Sequence, residues 1–465
     1  MRTFFTILIS CFFLFPLTSE EPIPRLSAES EQLATVADCV NVISGEFYQV
    51  NPDLYSNNHD AVDLTRYYDS GSNKGGDFGY KFGSGYPTFF LYNPHVKSYN
   101  VEIEQREGAT LPFHANNKKN KGVIDPRIFE KGYTNCSRDA ARLKDATVQV
   151  SKGVWSLFLS DGTKRYYGYV NTNDICGFYR LLLEEKPNGN KVHFAYNGKC
   201  WRPVRTFITN NDESLILSEI NLEFPQLRVN AKSNNNQNVS YYYDIKKGKA
   251  DNYSVKRNCL TGVKSNHFPE ISYEYALTTQ YPHNLHTVTR ISRPEERDLQ
   301  IVYHPSGRVK AITSPGYQYK FGYEKKCTNV VDALKRVKFF FHENRRLIRI
   351  EDPKYRSHCF DWEKNGNLAE ERLQDLSGTP LWRRNFEYDD RGNIIESCLI
   401  GNITGFGEDV ATTRYTYSND EFNLLLKEVD PCGVQTHFQY KPGTNLLISK
   451  RIVLNGQCQE RIFYI

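Results

Sequence analysis

Over residues 285–465 apolar and polar positions alternate with a period of two, and the alternation carries a marker: two aromatics separated by one residue. Examples are Phe339-Phe340-Phe341, Phe360-Asp361-Trp362, Phe386-Glu387-Tyr388, Tyr415-Thr416-Tyr417 and Phe438-Gln439-Tyr440, with Ile301-Val302-Tyr303 and Tyr319 to Tyr323 as variants and Phe194-Ala195-Tyr196 as an earlier copy. Residues at i and i+2 share one face of a strand, and the polar or small residue between them faces away, so half-buried strands are expected. A polar turn usually follows. In Tyr388-Asp389-Asp390-Arg391-Gly392-Asn393-Ile394 the early Asp and late Gly suit a type I turn closed by a left-handed glycine. Trp362 to Leu368 and Tyr303 to Val309 repeat the plan, whereas Phe341-His342-Glu343-Asn344-Arg345-Arg346-Leu347 leaves the turn to Asn344. With the last aromatic as anchor, positions 303, 323, 341, 362, 388, 417 and 440 lie 18 to 29 residues apart. About twenty residues accommodate one hairpin, and Gly401 to Gly407 reads as a longer loop. The pattern predicts an array of antiparallel β-hairpins and a nearly all-β chain.

Composition narrows the class. An aromatic content of 14% with 24% charged residues in 465 positions is incompatible with a disordered chain. The net charge of +5, from 59 basic and 54 acidic residues, gives no reason to expect nucleic acid as a partner. At the start, Met1-Arg2-Thr3 precedes an uncharged stretch from Phe4 to Leu17 and then Thr18-Ser19-Glu20-Glu21. This predicts a signal peptide over 1–19 and an exported, secreted or surface protein with no transmembrane span beyond that peptide. Leu8-Ile9-Ser10-Cys11 offers lipoprotein anchoring at Cys11 as the alternative. Residues 20–37 read as a linker. The ten cysteines beyond the leader, Cys39, Cys136, Cys176, Cys200, Cys259, Cys327, Cys359, Cys398, Cys432 and Cys458, are scattered without Cys-x-x-Cys. Free thiols and a few disulfides both remain open.

The pattern Tyr-Asp-x-x-Gly-Asn/Arg followed by apolar residues resembles the YD repeat of Rhs proteins, which also occurs in teneurins and in the shells of insecticidal toxin complexes. Asp38 to Phe47 resembles the opening of the Rhs N-terminal region, and Asp63-Leu64-Thr65-Arg66-Tyr67-Tyr68-Asp69-Ser70 its Leu-Thr-Arg-x-Tyr-Asn-Ser stretch. Phe78 to Gly83, Ser160 to Tyr166 and Tyr179 to Asn197 follow in order. The likeness covers about 38–200 and 285–450, and it divides the chain into an N-terminal Rhs-like β domain (38–210), a loosely matching β region (211–284) and a hairpin array (285–465). It implies a wound antiparallel sheet forming part of a hollow shell that encloses or displays a polypeptide. It also implies a downstream Rhs core or toxin polypeptide as partner, since neither the autocleaving core nor a toxin is visible here.

Catalytic chemistry is not legible. The 11 histidines form no metal-ligand spacing, and there is no nucleophile elbow or phosphate loop, so neither an enzyme nor a cofactor is expected and no catalytic or metal residue is named. Gly71 to Gly76, Asn116 to Lys121 and Ser233 to Asn238 read as surface loops, and the Asp-Pro pairs at 125, 352 and 430 as turn starters. Ser137 to Leu143 and Val330 to Val337 are compatible with short helices. The alternative function is an adhesin whose exposed aromatic and basic residues bind a glycan or receptor. Thr444 to Gly456 reads as a strand up to a turn, and Gln457 to Ile465 as an uncapped return strand. Such an edge recruits further strands, so self-association through the C-terminal end is expected.

Overall fold

The structure is a computed structural model that describes residues 33–55, 62–71, 75–76, 78–84, 89–92, 99–104, 110–116, 121–124, 147–151, 154–159, 161–170, 177–198 and 202–464, the last apart from 251–252, 295–297, 345 and 365. The signal peptide, Cys11, Cys136, Cys176, Cys200 and the Ser137–Leu143 helix lie outside the described residues. So do 72–74 of the first surface loop and 117–120 of the second.

The chain is almost entirely β, built on one long antiparallel sheet that is not closed into a barrel. Successive strands pair with their sequence neighbours, as in Leu299–Tyr303, Val309–Ser314, Tyr317–Tyr323 and Cys327–Asp332. The ladder forks at Gly177–Glu185, which pairs through its first half with Phe89–Tyr92 and through its last residues with Lys191–Tyr196. From there it runs without a break across residues 210 and 285 to Gln457–Phe463. The three β regions expected from the sequence therefore share one sheet.

The turn chemistry holds in detail. Gly307, Gly366 and Gly392 have φ of 86°, 94° and 82°, and Asn344 supplies the left-handed residue at 48°. At 389–393, the Gly392 amide donates to the Asp389 carbonyl at 3.0 Å, while the Asp389 carboxylate accepts from the Arg391 and Asn393 amides at 3.0 and 2.8 Å. Asp352 and Asp430 likewise accept from the turn amides of Lys354 and Cys432, as expected of turn starters.

Three expectations need correction. Val330–Val337 is not a helix: strand Cys327–Asp332 ends in a turn, and the Asp332 carboxylate takes the Leu334 and Arg336 amides at 2.9 Å, which competes with helix formation. The described end of the stretch 20–37 is not a linker, because Ala34 is buried and Thr35–Val36 pairs with Val40–Asn41. The third anchor is His342 rather than Phe341. Phe340 is the buried member of its strand, and the register shift that precedes an anchor falls between Phe341 and His342.

That shift recurs. A bulge immediately precedes Tyr196, Tyr275, Tyr303, Trp362, Tyr388, Tyr417 and Tyr440. A bulge bends the strand and re-aims its last side chain. In all of these but Tyr417 the polar tip reaches a carbonyl of the neighbouring strand, mostly at or near its start. The hydroxyls of Tyr303, Tyr323, Tyr388 and Tyr440 donate to Val288, Val309, Leu368 and Leu425 at 2.9, 2.8, 2.8 and 3.0 Å. The Trp362 indole does the same to Leu347 at 2.8 Å, and Tyr196 and Tyr275 reach Leu181 and Leu260, which lie further into their strands. The first aromatic of a pair fills the core and the second, with its polar handle, stitches strands at one rim.

Candidate functional surface

Among the described residues no cluster of three or more His, Cys, Asp or Glu is placed to hold a metal ion. The seven described cysteines, from Cys39 to Cys458, are free, with Cys39, Cys259 and Cys359 buried. Burial pushes the thiols of Cys39 and Cys259 up to about 12, so both stay protonated and inert at neutral pH. Two other features of the fold bear on function: what lies on the buried face of the sheet, and how the sheet meets itself.

The buried face is covered by the chain's own N-terminal segment. Strands Tyr48–Leu54, Leu64–Asp69 and Phe82–Ser84 form a small sheet, and Val42, Phe47, Leu54, Tyr68 and Phe82 join one apolar core with Tyr241, Tyr273, Ile301, Phe321, Phe340 and Phe360. Polar contacts fix its place. The Val309 amide donates to the Gly45 carbonyl at 2.7 Å, the Val288 amide to the Tyr68 hydroxyl at 2.9 Å, and the Thr328 hydroxyl to the Val42 carbonyl at 2.5 Å. Phe78 stacks on Tyr241 with centroids 4.4 Å apart.

At the centre lies a buried ion pair. The Arg66 guanidinium donates twice to the Asp53 carboxylate, at 2.7 and 3.0 Å, and also to the Tyr273 hydroxyl. Asp53 accepts in turn from the Tyr241 hydroxyl at 3.0 Å. Burial works against the charge on Arg66, but the Asp53 carboxylate more than offsets it and holds the guanidinium protonated. Two residues of the inserted segment and two tyrosines of the sheet thus satisfy one another. Leu64 to Ser70, which the sequence singled out, supplies Arg66 and Tyr68; nothing local in the sequence identified Asp53, Tyr241 or Tyr273 as their partners.

Lys81, on the same inserted segment, is also buried, its ammonium donating to the Ser70 carbonyl. Burial lowers its pKa to about 8 against the opposing pull of Asp69 and Glu46. Covering ends downstream: among the described residues the last buried apolar side chain is Phe386, and Tyr415, Tyr417, Phe438 and Tyr440 are only half-buried on the continuing face.

The second feature is a seam. The turn 418–424 lies at the rim where the anchors end, which we call the anchor rim, and it touches the opposite rim of a much earlier hairpin. Lys164 bridges Glu421 at 3.3 Å, and Phe422 covers Gly162, where a Cβ would come within 2.6 Å of its ring. One hairpin further on, the Asn445 amide donates to the Pro187 carbonyl at 3.0 Å. The two contacts have the same offset. The intervening strands run from Lys164–Val170 through Asp409–Tyr417, and from Lys191–Tyr196 through Gln435–Tyr440. Each set holds 21 ladder strands once Thr278–Thr279, paired in parallel with Asn238–Ala250, is left aside. The sheet therefore winds as a spiral whose second turn rests on the rim of its first. At ~4.8 Å per strand one turn is roughly 100 Å around and about 30 Å across, enough to enclose a small sheet.

No family model and no curated protein matches the chain. Among solved structures, the complex titled TcdB2-TccC3-Cdc42 aligns over 79% of this chain and 20% of its own, at 12% identity and a TM-score of 0.30. TcdB2-TccC3 aligns over 94% and 29% at 10% identity and 0.24. A porin-like protein from Bacteroides uniformis aligns over 53% and 95% at 8% identity and 0.21. The chain thus spans about a fifth to a third of the toxin-complex chains it aligns with. Likenesses at these scores carry no argument about function.

Proposed function

We propose that the chain is a non-catalytic scaffold of the Rhs/YD-repeat kind, exported from the cell, whose wound sheet encloses or displays a polypeptide associated with a toxin. The observation that carries this reading is the inserted N-terminal segment: the inner face already holds polypeptide, the described residues between 33 and 84, through apolar packing and a satisfied polar group. Past Phe386 the same face continues with half-buried aromatics, which gives a further polypeptide a surface of the same chemistry. The ordered Rhs-like motifs and the toxin-complex neighbours agree with this reading without carrying it.

The test is protection. The chain is purified with its contents from the cells that make it and digested with trypsin in the native state. An enclosed polypeptide survives that digestion and yields peptides only after the shell is unfolded in urea. Release of every foreign peptide in the native digest, or recovery of a glycan or receptor fragment alone, overturns the enclosure reading in favour of a surface binder.

A further inference from the structure

The rim that receives the second turn does not stop where the seam stops. It continues along the hairpin tips at 333–336, 353–355, 376–379 and 402–408, and these four successive tips differ from their counterparts. Each projects a large apolar side chain: Leu334 is 73% exposed, Tyr355 69%, Leu376 62% and Phe406 95%. Strand pairing places all four turns on the side of the ladder opposite the anchors, about 10 Å apart from one hairpin to the next. On the anchor rim over the same stretch, the turns at 304–307, 324–326, 343–344, 363–366 and 389–392 carry no exposed large apolar residue. A row of this kind on one rim only marks an interaction surface.

We propose that this rim docks a second copy of the chain, which seats there the earlier, free part of its own anchor rim, the turns at 224–227 and 276–287 where Phe224, Leu227 and Tyr281 are exposed. The occupant follows from the seam: among the described residues, the element that rests on this rim, at 161–164 and 186–190, is the anchor rim of the same chain. Tips of the same repeat in a second molecule have the same geometry to offer. An anionic lipid surface fits less well, because the tips carry Asp332, Asp352, Asp375 and Glu408 alongside Lys335, Arg336, Lys354 and Arg356. The contact joins unlike rims, so it is head-to-tail and continues to grow with concentration rather than closing as a dimer. It rests on the winding and not on what the inner face holds.

Sedimentation velocity of the full chain over a concentration series tests it, with Tyr355→Glu/Phe406→Glu as the rim variant and Ile462→Lys as a control on the last strand. The wild type is expected to sediment faster as concentration rises. The rim variant should need roughly tenfold more protein or beyond for the same shift, with an unchanged circular dichroism spectrum, and Ile462→Lys should associate like the wild type. A wild type that stays monomeric at high micromolar concentration overturns the proposal. So does association abolished by Ile462→Lys and untouched by the rim variant, which assigns the contact to the strand edge. Flotation of a monomeric wild type with phosphatidylserine vesicles, lost in the rim variant, makes the occupant a bilayer and also overturns it.

Discussion

Removing Asp53 should release the inserted segment, and its cost can be worked from the geometry. Arg66 and Asp53 are both buried, joined by hydrogen bonds of 2.7 and 3.0 Å. Asp53→Leu leaves the guanidinium without its counter-charge in a dry site, which costs about 3–5 kcal/mol. It also strips the Tyr241 hydroxyl of its acceptor. Arg66→Met strands the carboxylate at a similar cost, softened by the Tyr241 donor that remains. In the double variant no charge is left to strand, so its loss should fall short of the sum by roughly 1–3 kcal/mol. The assay is native-state hydrogen exchange at the amides of Tyr48–Leu54 and Leu64–Asp69. There 3–5 kcal/mol appears as a ~10²- to 10⁴-fold loss of protection, since each 1.4 kcal/mol is tenfold. Amides in the distant strand Asp409–Tyr417 should change little. Additive single losses, or losses under ~0.5 kcal/mol, would refute the reasoning, because they mean that the pair neither couples nor anchors the segment.

The rim bonds and turns give further expectations. Tyr388→Phe should cost about 0.5–1.5 kcal/mol in urea denaturation by leaving the Leu368 carbonyl unpaired, and Tyr388→Ala a few kcal/mol more. Gly392→Val should cost on the order of 1–2 kcal/mol, because φ of 82° is forbidden ground for a β-branched residue; unchanged melting would remove the turn assignment. Burial raises the Tyr440 hydroxyl from the ordinary 10 to about 12. A raised folded-state value means stability that is fully present below pH 10 and lost as pH climbs from 10 to 12, so the alkaline fall in stability should be shallower in Tyr440→Phe. Lys81 runs the other way. Its lowered value makes stability rise between pH 8 and 10.5, a rise that Lys81→Met should abolish when the two proteins are compared across that window.

Much of the array was legible because its signals are local. Period-two aromatics and the placement of Asp389 and Gly392 specify strands and turns within a few residues of themselves. The one phase error fell at Phe339-Phe340-Phe341, where three aromatics in a row erase the alternation; the rule that the second position carries a polar handle would have picked His342. That handle, present as Tyr or Trp at 303, 323, 362, 388 and 440, was in view as a recurring type, yet its purpose appears only when the neighbouring strand supplies a carbonyl. The ion pair joins residues 13 apart to tyrosines roughly 190 and 207 positions away. The seam joins residues 257 apart. Contacts of that range leave no periodicity behind, so a glycine such as Gly162 reads simply as a turn residue until Phe422 is seen to lie on it.

The winding itself is the claim on which the rest depends, and the Lys164–Glu421 contact exposes it directly. A zero-length carbodiimide couples an amine to a carboxylate only where the two touch. Applied to the monomeric fraction and read by peptide mass spectrometry, it should join Lys164 to Glu421 and also the local pairs Lys191–Glu213 and Lys326–Glu343, both at 2.5 Å. Recovery of the two local links without the long-range one would show an open ladder whose turns never meet, and would contradict the spiral.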